Sequence, residues 1–142
     1  MAEKDKTRVF LDSNVILSGL YSGDGPPGAI LEQAVEGGFV PVISRQVLDE
    51  VVRTIAAKLP AALPVLHTLL LSMPLEVCDD PDPSAVKAWA KITGADDAPI
   101  AAAASAAEVD FLVSGDSHFL AARDAAAKKG LRIVSPSGFA AT

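Results

Sequence analysis

The chain has 142 residues, half of them hydrophobic, and a formal net charge of −6. This length predicts one domain over residues 1–142, and the longest apolar run is too short to span a membrane. The acidic balance excludes a protein that simply coats nucleic acid, and the single cysteine, Cys78, excludes an internal disulfide and a cysteine metal cluster.

The residues at positions 3–6 are all charged, whereas a signal peptide would carry an apolar segment close to its start. We therefore expect a cytoplasmic protein. An acidic protein can still act on nucleic acid if its carboxylates hold a cation, because the bound ion reverses the local field.

A short apolar run over residues 8–12 predicts the first strand, which ends abruptly at Asp12. A carboxylate is costly to desolvate, so one that follows a buried strand is expected at the rim of the sheet. In open α/β sheets that rim is where ligands bind. The alternative is that Asp12 or Ser13 only caps the next helix.

The next elements are set by proline and glycine. A helix is expected to begin at Pro26 or Pro27 and to stop at Gly37. Residues 39–43 have the pattern of a strand, in which Pro41 lacks an N–H donor and so predicts a position near the edge of the sheet.

Ser44 is a good N-cap for a helix whose apolar residues form one stripe. Asp49 and Glu50 flank that stripe on opposite sides, and their spacing leaves open which of them, if either, faces a site. For a charged residue on such a helix, exposure to solvent is the default expectation.

Further helices and strands alternate through the second half of the chain. We expect a helix near residues 65–71, a short strand over 75–78, and a helix that Asp82 or Ser84 caps and that Gly94 ends.

Asp96 and Asp97 open an alanine-rich helix, where carboxylates interact favourably with the helix dipole. A strand over 111–113 leads to Asp116, which begins a helix that Gly130 closes. Residues 131–134 form the last predicted strand, and the tail after it carries little signal. Alternation of this kind predicts an α/β fold with a mostly parallel sheet of four to five strands covered on both faces.

Asp12 and Asp116 each follow an apolar strand, so both should emerge at the carboxyl edge of the sheet. They face each other if the first and fourth strands flank the point where strand order reverses. Asp97 reaches that edge only if the chain folds back suitably. Carboxylates that share a cleft raise one another's pKa unless a cation lies among them, and an all-oxygen ligand set suits Mg²⁺ or Mn²⁺.

The motifs at both ends of the chain make it resemble the PIN-domain ribonucleases, and within them the VapC-like toxins of toxin-antitoxin pairs. The resemblance runs from Phe10-Leu-Asp-Ser-Asn-Val15 to Val113-Ser-Gly-Asp-Ser-His-Phe-Leu120. Family members carry Glu six residues after a Ser that leads a helix, which selects Glu50 over Asp49. A third acid before an Ile- and Ala-rich helix matches Asp97.

The resemblance implies a PIN-like three-layer α/β/α fold and a metal-dependent endoribonuclease that leaves a 5′-phosphate and a 3′-hydroxyl. It implies that Mg²⁺ or Mn²⁺ is held by Asp12, Asp97 and Asp116, with Glu50 as a further ligand or as the residue that orients water. Asn14 and Ser114 are implied to fix the carboxylates by hydrogen bonds. Asp96 stays open as an alternative to Asp97. The implied partners are an RNA substrate, an antitoxin protein and a second copy of the chain in a homodimer.

The sequence leaves two other functions open. In a haloacid-dehalogenase-type phosphotransferase Asp12 would be the nucleophile, but the second Asp that such enzymes need is replaced by Asn14. A catalytically silent PIN-fold binding module is disfavoured because all four acids are present. The sequence does not identify the residues that bind the substrate. Lys87 and Lys91 share a helix face that could contact phosphates, but exposure to solvent is the favoured interpretation, and His118 is expected only to line the rim.

Overall fold

The computed structural model describes residues 6–140, in which strands and helices alternate along the chain. The strands are β1 Arg8–Leu11, β2 Val40–Ser44, β3 Glu76–Cys78, β4 Phe111–Val113 and β5 Ile133–Val134. The helices are α1 Ser13–Tyr21, α2 Pro26–Val35, α3 Arg45–Lys58, α4 Leu63–Leu71, α5 Pro83–Thr93, α6 Ala98–Ala106, α7 Ser117–Ala121, α8 Arg123–Ala127 and α9 Pro136–Ala140, with a 3-10 turn at Pro60–Ala62.

The five strands form one parallel sheet in the order β3-β2-β1-β4-β5, with β1 in the middle. The order reverses between β1 and β4, so the predicted reversal point is confirmed. Leu11 lies opposite Val113, and the amide of Asp12 donates to the carbonyl oxygen of Val113 at 3.0 Å. This register brings the residues that follow β1 and β4 side by side at the carboxyl edge.

Successive residues of the central strands are buried on both faces of the sheet. Val9, Phe10 and Leu11 in β1 are at most 1% exposed, and so are Leu112 and Val113 in β4. Because successive strand residues point to opposite faces, helices must cover both sides. The predicted α/β fold with three layers and four to five mostly parallel strands is confirmed, with five strands.

The alanine-rich segment forms α6, as expected. Residues 101–104 are at most 1% exposed. Their small side chains let the helix lie close against the sheet, and this packing carries Asp97, at the start of α6, to the carboxyl edge.

The position near the edge of the sheet that Pro41 predicts is confirmed, because β2 lies one strand in from the edge, between β3 and β1. The amide of Val40 donates to Thr7 on the β1 side, so the nitrogen of the next residue points towards β3. Pairing with β3 begins only at Val42, opposite Glu76. Position 41 therefore needs no donor, and proline is tolerated one strand inside the sheet.

The end of the chain differs most from the prediction. The helix expected from Asp116 to Gly130 is two short helices, α7 and α8, and the last strand covers only two residues. The tail forms α9, whose Phe139 packs edge-on against Phe39 and Phe111 with ring centroids 5.4 and 5.6 Å apart.

The caps are as predicted at α3 but not at α5. Ser44 Oγ accepts a hydrogen bond from the amide of Val47 at 3.2 Å. Asp82 occupies the N-cap position of α5, yet its carboxylate accepts from the hydroxyl of Ser84 and from no backbone amide of the helix. Among the helices of residues 6–140, none has the length and apolar character that crossing a bilayer requires.

Candidate active site

Asp12 lies where β1 ends and caps α1, and its carboxylate is only 8% exposed. One oxygen, Oδ1, accepts from the amide of Ser13 at 2.8 Å. The other, Oδ2, accepts from Ser114 Oγ at 2.9 Å and from Asn14 Nδ2 at 3.3 Å. Both alternatives raised by the sequence therefore hold: Asp12 caps a helix and also faces the residues that follow β4.

Glu50 reaches the same edge from α3. Its Oε2 accepts a hydrogen bond from Ser13 Oγ at 3.0 Å, so Ser13 links it to the strand end that carries Asp12. Asp49 instead pairs with Arg53 at 2.6 Å on the exposed side of α3. The two neighbouring acids are thus distinguished by their partners, and only Glu50 faces the site.

The segment after β4 is tied to Asn14 and Asp12 by hydrogen bonds. Ser114, fully buried, accepts from the amide of Asp116 at 3.1 Å while its hydroxyl donates to Asp12. Asn14 Oδ1 accepts from the amide of Gly115 at 2.9 Å. Asp116 Oδ1 caps α7 by accepting from the amide of His118 at 2.9 Å. These bonds fix Asp116 beside the reversal point.

Asp97 occupies the N-cap position of α6, but its carboxylate caps nothing. Partial burial raises the pKa of Asp97, the neighbouring Asp116 and Asp96 raise it further, and His118 opposes them. Asp97 in turn raises the pKa of Asp12. Asp96 is exposed and has no such effect on Asp12.

Burial dominates the electrostatics of the site. It raises the pKa of Asp12 from 3.8 to about 6, against the hydrogen bonds from Ser114 and Ser13, and the charges of Glu50 and Asp97 add to the increase. Within residues 6–140 two side-chain ion pairs form, Arg8 with Glu76 and Arg53 with Asp49. Neither involves the acids of the site, so no cationic side chain pairs with them.

The structure therefore places the six residues singled out in the sequence, Asp12, Asn14, Glu50, Asp97, Ser114 and Asp116, around one point of the sheet edge. Sequence reasoning missed Ser13 as the link to Glu50, and no local signal marks it because the two residues are far apart in the chain. Lys87 and Lys91, which the sequence places on one helix face, line different surface hollows. Lys87 lines a hollow with Gln46 and Pro99, whereas Lys91 lines another with Ser105.

A family model for the PIN domain matches residues 8–118, which is most of the chain. The chain belongs to the PIN-domain family. The predicted family resemblance is thus confirmed, and PIN domains are generally nucleases. No curated protein matches the sequence of this PIN-family chain.

Two solved structures share the fold of this PIN-family chain. PAE2754 from Pyrobaculum aerophilum is 17% identical with a TM-score of 0.67, and the alignment covers 95% of this chain and 88% of that one. VapBC2 from Rickettsia felis, solved bound to a DNA fragment from their promoter, is 18% identical with a TM-score of 0.65, and the alignment covers 91% and 98%.

The acids of this PIN-family chain fit a divalent cation in charge and in donor chemistry. They offer only oxygen ligands, which suit Mg²⁺ or Mn²⁺. Asp12 is buried, Asp97 and Asp116 are half-buried, Glu50 is exposed, and none of the four forms an ion pair within residues 6–140. In the part of the chain that the structure describes, no three Asp, Glu, His or Cys side chains are placed so that together they could hold a metal ion. Mg²⁺ keeps several waters and is usually held by one or two carboxylates, so its binding does not require three of these side chains.

Proposed function

We propose that this PIN-family chain is a divalent-metal-dependent endoribonuclease of the cytoplasm and the toxin component of a toxin-antitoxin pair. The observation that carries the proposal is the meeting of Asp12, Glu50, Asp97 and Asp116 at the strand-order reversal, where none of them forms an ion pair with a residue between 6 and 140. Carboxylates this close together repel one another, and a cation bound between them would relieve that repulsion.

In this proposal Asp12, Asp97 and Asp116 hold Mg²⁺ or Mn²⁺, and the ion, when bound, activates water and stabilises charge on the phosphate. Ser114 and Asn14 keep Asp12 Oδ2 in place by donating to it, at 2.9 and 3.3 Å. Such hydrogen bonds to a ligand carboxylate orient it and tune its affinity.

Glu50 has a different role in this mechanism. It is the most exposed of the four acids, and its carboxylate is oriented by Ser13 Oγ. A carboxylate at the open side of the site can accept a proton from an attacking water or fix its direction. Attack on the phosphodiester then leaves a 5′-phosphate and a 3′-hydroxyl.

The partner proposal draws on the VapC-like motifs of the sequence and on the fold shared with VapBC2. We propose that a small antitoxin protein inhibits the chain and that the chain forms a homodimer. Co-expression with the product of the neighbouring gene, followed by co-purification and size-exclusion chromatography, tests both. A chain that elutes as a monomer and retains no neighbour product would refute this part.

The nuclease proposal is tested by incubating purified protein and Mn²⁺ with single-stranded RNA. We expect wild type and Asp49→Asn to cut, and Glu50→Gln to lose at least about tenfold in rate, because removing one catalytic acid or base typically costs 10²–10⁴. Asp49→Asn is the matched control, since Asp49 neighbours Glu50 but pairs with Arg53.

The same assay decides between the alternatives. Membership of the PIN family argues against the haloacid-dehalogenase alternative. In that alternative position 14 would carry a second aspartate, whereas here Asn14 links the two strand ends by hydrogen bonds to Asp12 and Gly115. If the protein binds Mn²⁺ but cuts no RNA, the silent binding module replaces the nuclease. Equal rates for Glu50→Gln and Asp49→Asn would overturn the role given to Glu50.

A further inference from the structure

A cavity of about 370 Å³ opens directly beside the acids, and its wall includes Asn14 and Asp116. The far wall is apolar and consists of Val15, Pro27 and Pro136. Its size is in the range of small-ligand sites, roughly 300–1,000 Å³. Because it shares Asp116 with the acid cluster, whatever fills it lies next to the bond that is cut.

The lining of this cavity offers a phosphate no positive side chain. No lysine or arginine contributes to it, and the carboxylate of Asp116 forms part of the wall. In the proposed mechanism the phosphate binds at the ion beside Asp116, and a second phosphate in the cavity, away from that ion, would meet a like charge, which is unfavourable. The cavity therefore suits a neutral group that has apolar faces and polar edges, which is the chemistry of a nucleobase.

Ser18 supplies a polar group that the fold does not use. Its side chain is exposed on α1, lines the cavity, and makes no hydrogen bond to any residue between 6 and 140 through its hydroxyl. A hydroxyl can both donate and accept, so it can pair with the edge of a base. The two prolines offer flat apolar surfaces for the faces of the same base.

The wall that carries Pro27 is held rigidly by close packing of α1 and α2. A Cβ at Gly19 would lie 3.0 Å from the carbonyl oxygen of Pro27, and one at Gly28 would collide with the backbone of Gly23. Glycine at position 19 lets α1 and α2 approach, and glycine at position 28 lets α2 lie against the loop residue Gly23, so the wall that carries Pro27 is packed in place without a ligand. Preformed sites bind with less loss of conformational entropy.

We infer that this cavity, the nucleobase subsite, binds the base of the nucleotide next to the scissile phosphate, with Ser18 as a specificity-determining residue. The inference rests on the proposed function for its RNA substrate. The carboxylates and their ion bind the phosphate, while the subsite binds the neighbouring base and thereby determines which sequence is cut.

The test is a titration of the four ribonucleosides into ¹⁵N-labelled, EDTA-treated protein followed by NMR. We expect shifts of the Ser18 and Gly115 amide signals with at least one nucleoside, and none at Lys87, which lines a separate hollow. Adding a 5′-phosphate to that nucleoside should weaken binding about threefold or more, because the metal-free acids repel it. Absence of these shifts, or tighter binding of the monophosphate, overturns the inference.

Two variants sharpen the test. Ser18→Ala should weaken binding of the preferred nucleoside about three- to tenfold, the usual effect of one hydrogen bond. Ser22→Ala, an exposed serine just after the same helix that does not line the cavity, should leave it unchanged. Equal affinities for the two variants would remove Ser18 from the proposal.

Cleavage of an RNA pool with a randomised window gives the second readout. Ser18→Ala should change the base preference at one nucleotide flanking the cut, whereas Ser22→Ala should keep the wild-type preference. The two proposals fail separately: a chain that binds nucleosides here but cuts no RNA keeps the subsite and loses the reaction. A chain that cuts RNA but ignores nucleosides keeps the reaction and loses the subsite.

Discussion

Replacing Asp12 by asparagine should stabilise the metal-free protein at neutral and higher pH. The folded state raises the pKa of Asp12 from 3.8 to about 6, so ionised Asp12 opposes folding. That pKa difference corresponds to about 3 kcal/mol. Because Asp12 is only 8% exposed, solvent screens little of this effect.

The sign of the pH dependence follows from proton binding. Between pH 3.8 and about 6 the folded state holds a proton on Asp12 that the unfolded state has lost, so wild-type stability falls as the pH rises through this window. The destabilisation is complete above it. Asparagine is neutral throughout, so the stability of Asp12→Asn lacks this decline.

The measurement is urea unfolding in EDTA at about pH 4 and about pH 8, followed by the fluorescence of Trp89, which is 7% exposed. The stability difference between Asp12→Asn and wild type should be more favourable at the higher pH by about 2–3 kcal/mol, because unfolded Asp12, with a pKa of 3.8, is already more than half ionised at pH 4. The asparagine amide at position 12 can also fit Ser114 and Asn14 less well than the carboxylate does. That cost does not depend on pH, so it cancels when the stability differences at the two pH values are compared.

Asp49→Asn is the control for this experiment. Asp49 is exposed and paired with Arg53, so its replacement should alter the free energy of unfolding by less than about 1 kcal/mol at both pH values. A change for Asp12→Asn below about 1 kcal/mol between the two pH values would show that Asp12 is not a desolvated charge, and the case for a cation would lose its electrostatic basis.

Three further predictions concern the ion and the scaffold. In differential scanning fluorimetry, millimolar Mn²⁺ should raise the Tm of wild type, because an ion that binds only the folded state stabilises it. The Tm of Asp12→Asn should not change, and equal increases in the two proteins would show that the ion binds elsewhere. Arg8→Ala should lower the free energy of unfolding in urea by about 1–2 kcal/mol, because Arg8 donates to the carbonyl oxygens of Ala107 and Glu108 and pairs with Glu76 at 2.6 Å. Arg53→Ala breaks only an exposed ion pair and should cost less than about 0.5 kcal/mol; similar costs for the two variants would show that the contacts of Arg8 do not stabilise the fold. Ser44→Ala should cost about 1 kcal/mol by the same measurement through loss of the α3 cap, and an unchanged midpoint would refute that.

The positions of Asp12 and Asp116 could be predicted because each follows a short apolar strand, and strand ends are visible in the sequence. Parallel strands then bring their carboxyl ends together. The link from Ser13 to Glu50 could not be predicted this way, because a hydrogen bond between residues 37 positions apart depends on how α3 packs. The family resemblance, not the spacing, selected Glu50 over Asp49.

The errors also have physical causes. The helix α9 could not be predicted because its five residues, Pro-Ser-Gly-Phe-Ala, are too few to show a helical pattern. The contacts that hold it, between Phe139 and the rings of Phe39 and Phe111, join residues that are distant in the sequence. Pro41, by contrast, correctly predicts a strand near the edge of the sheet, because its missing N–H is visible in the sequence; the late start of pairing with β3, which makes proline tolerable there, is not visible.

The central place of β1 has a consequence for how the protein is made. On one side β1 pairs with β4, whose residues are about a hundred positions later. Until Phe111 to Asp116 have been synthesised, the nascent chain lacks both Asp116 and the serine that anchors Asp12. The acids of the site therefore cannot assemble during synthesis before residue 116 has been added.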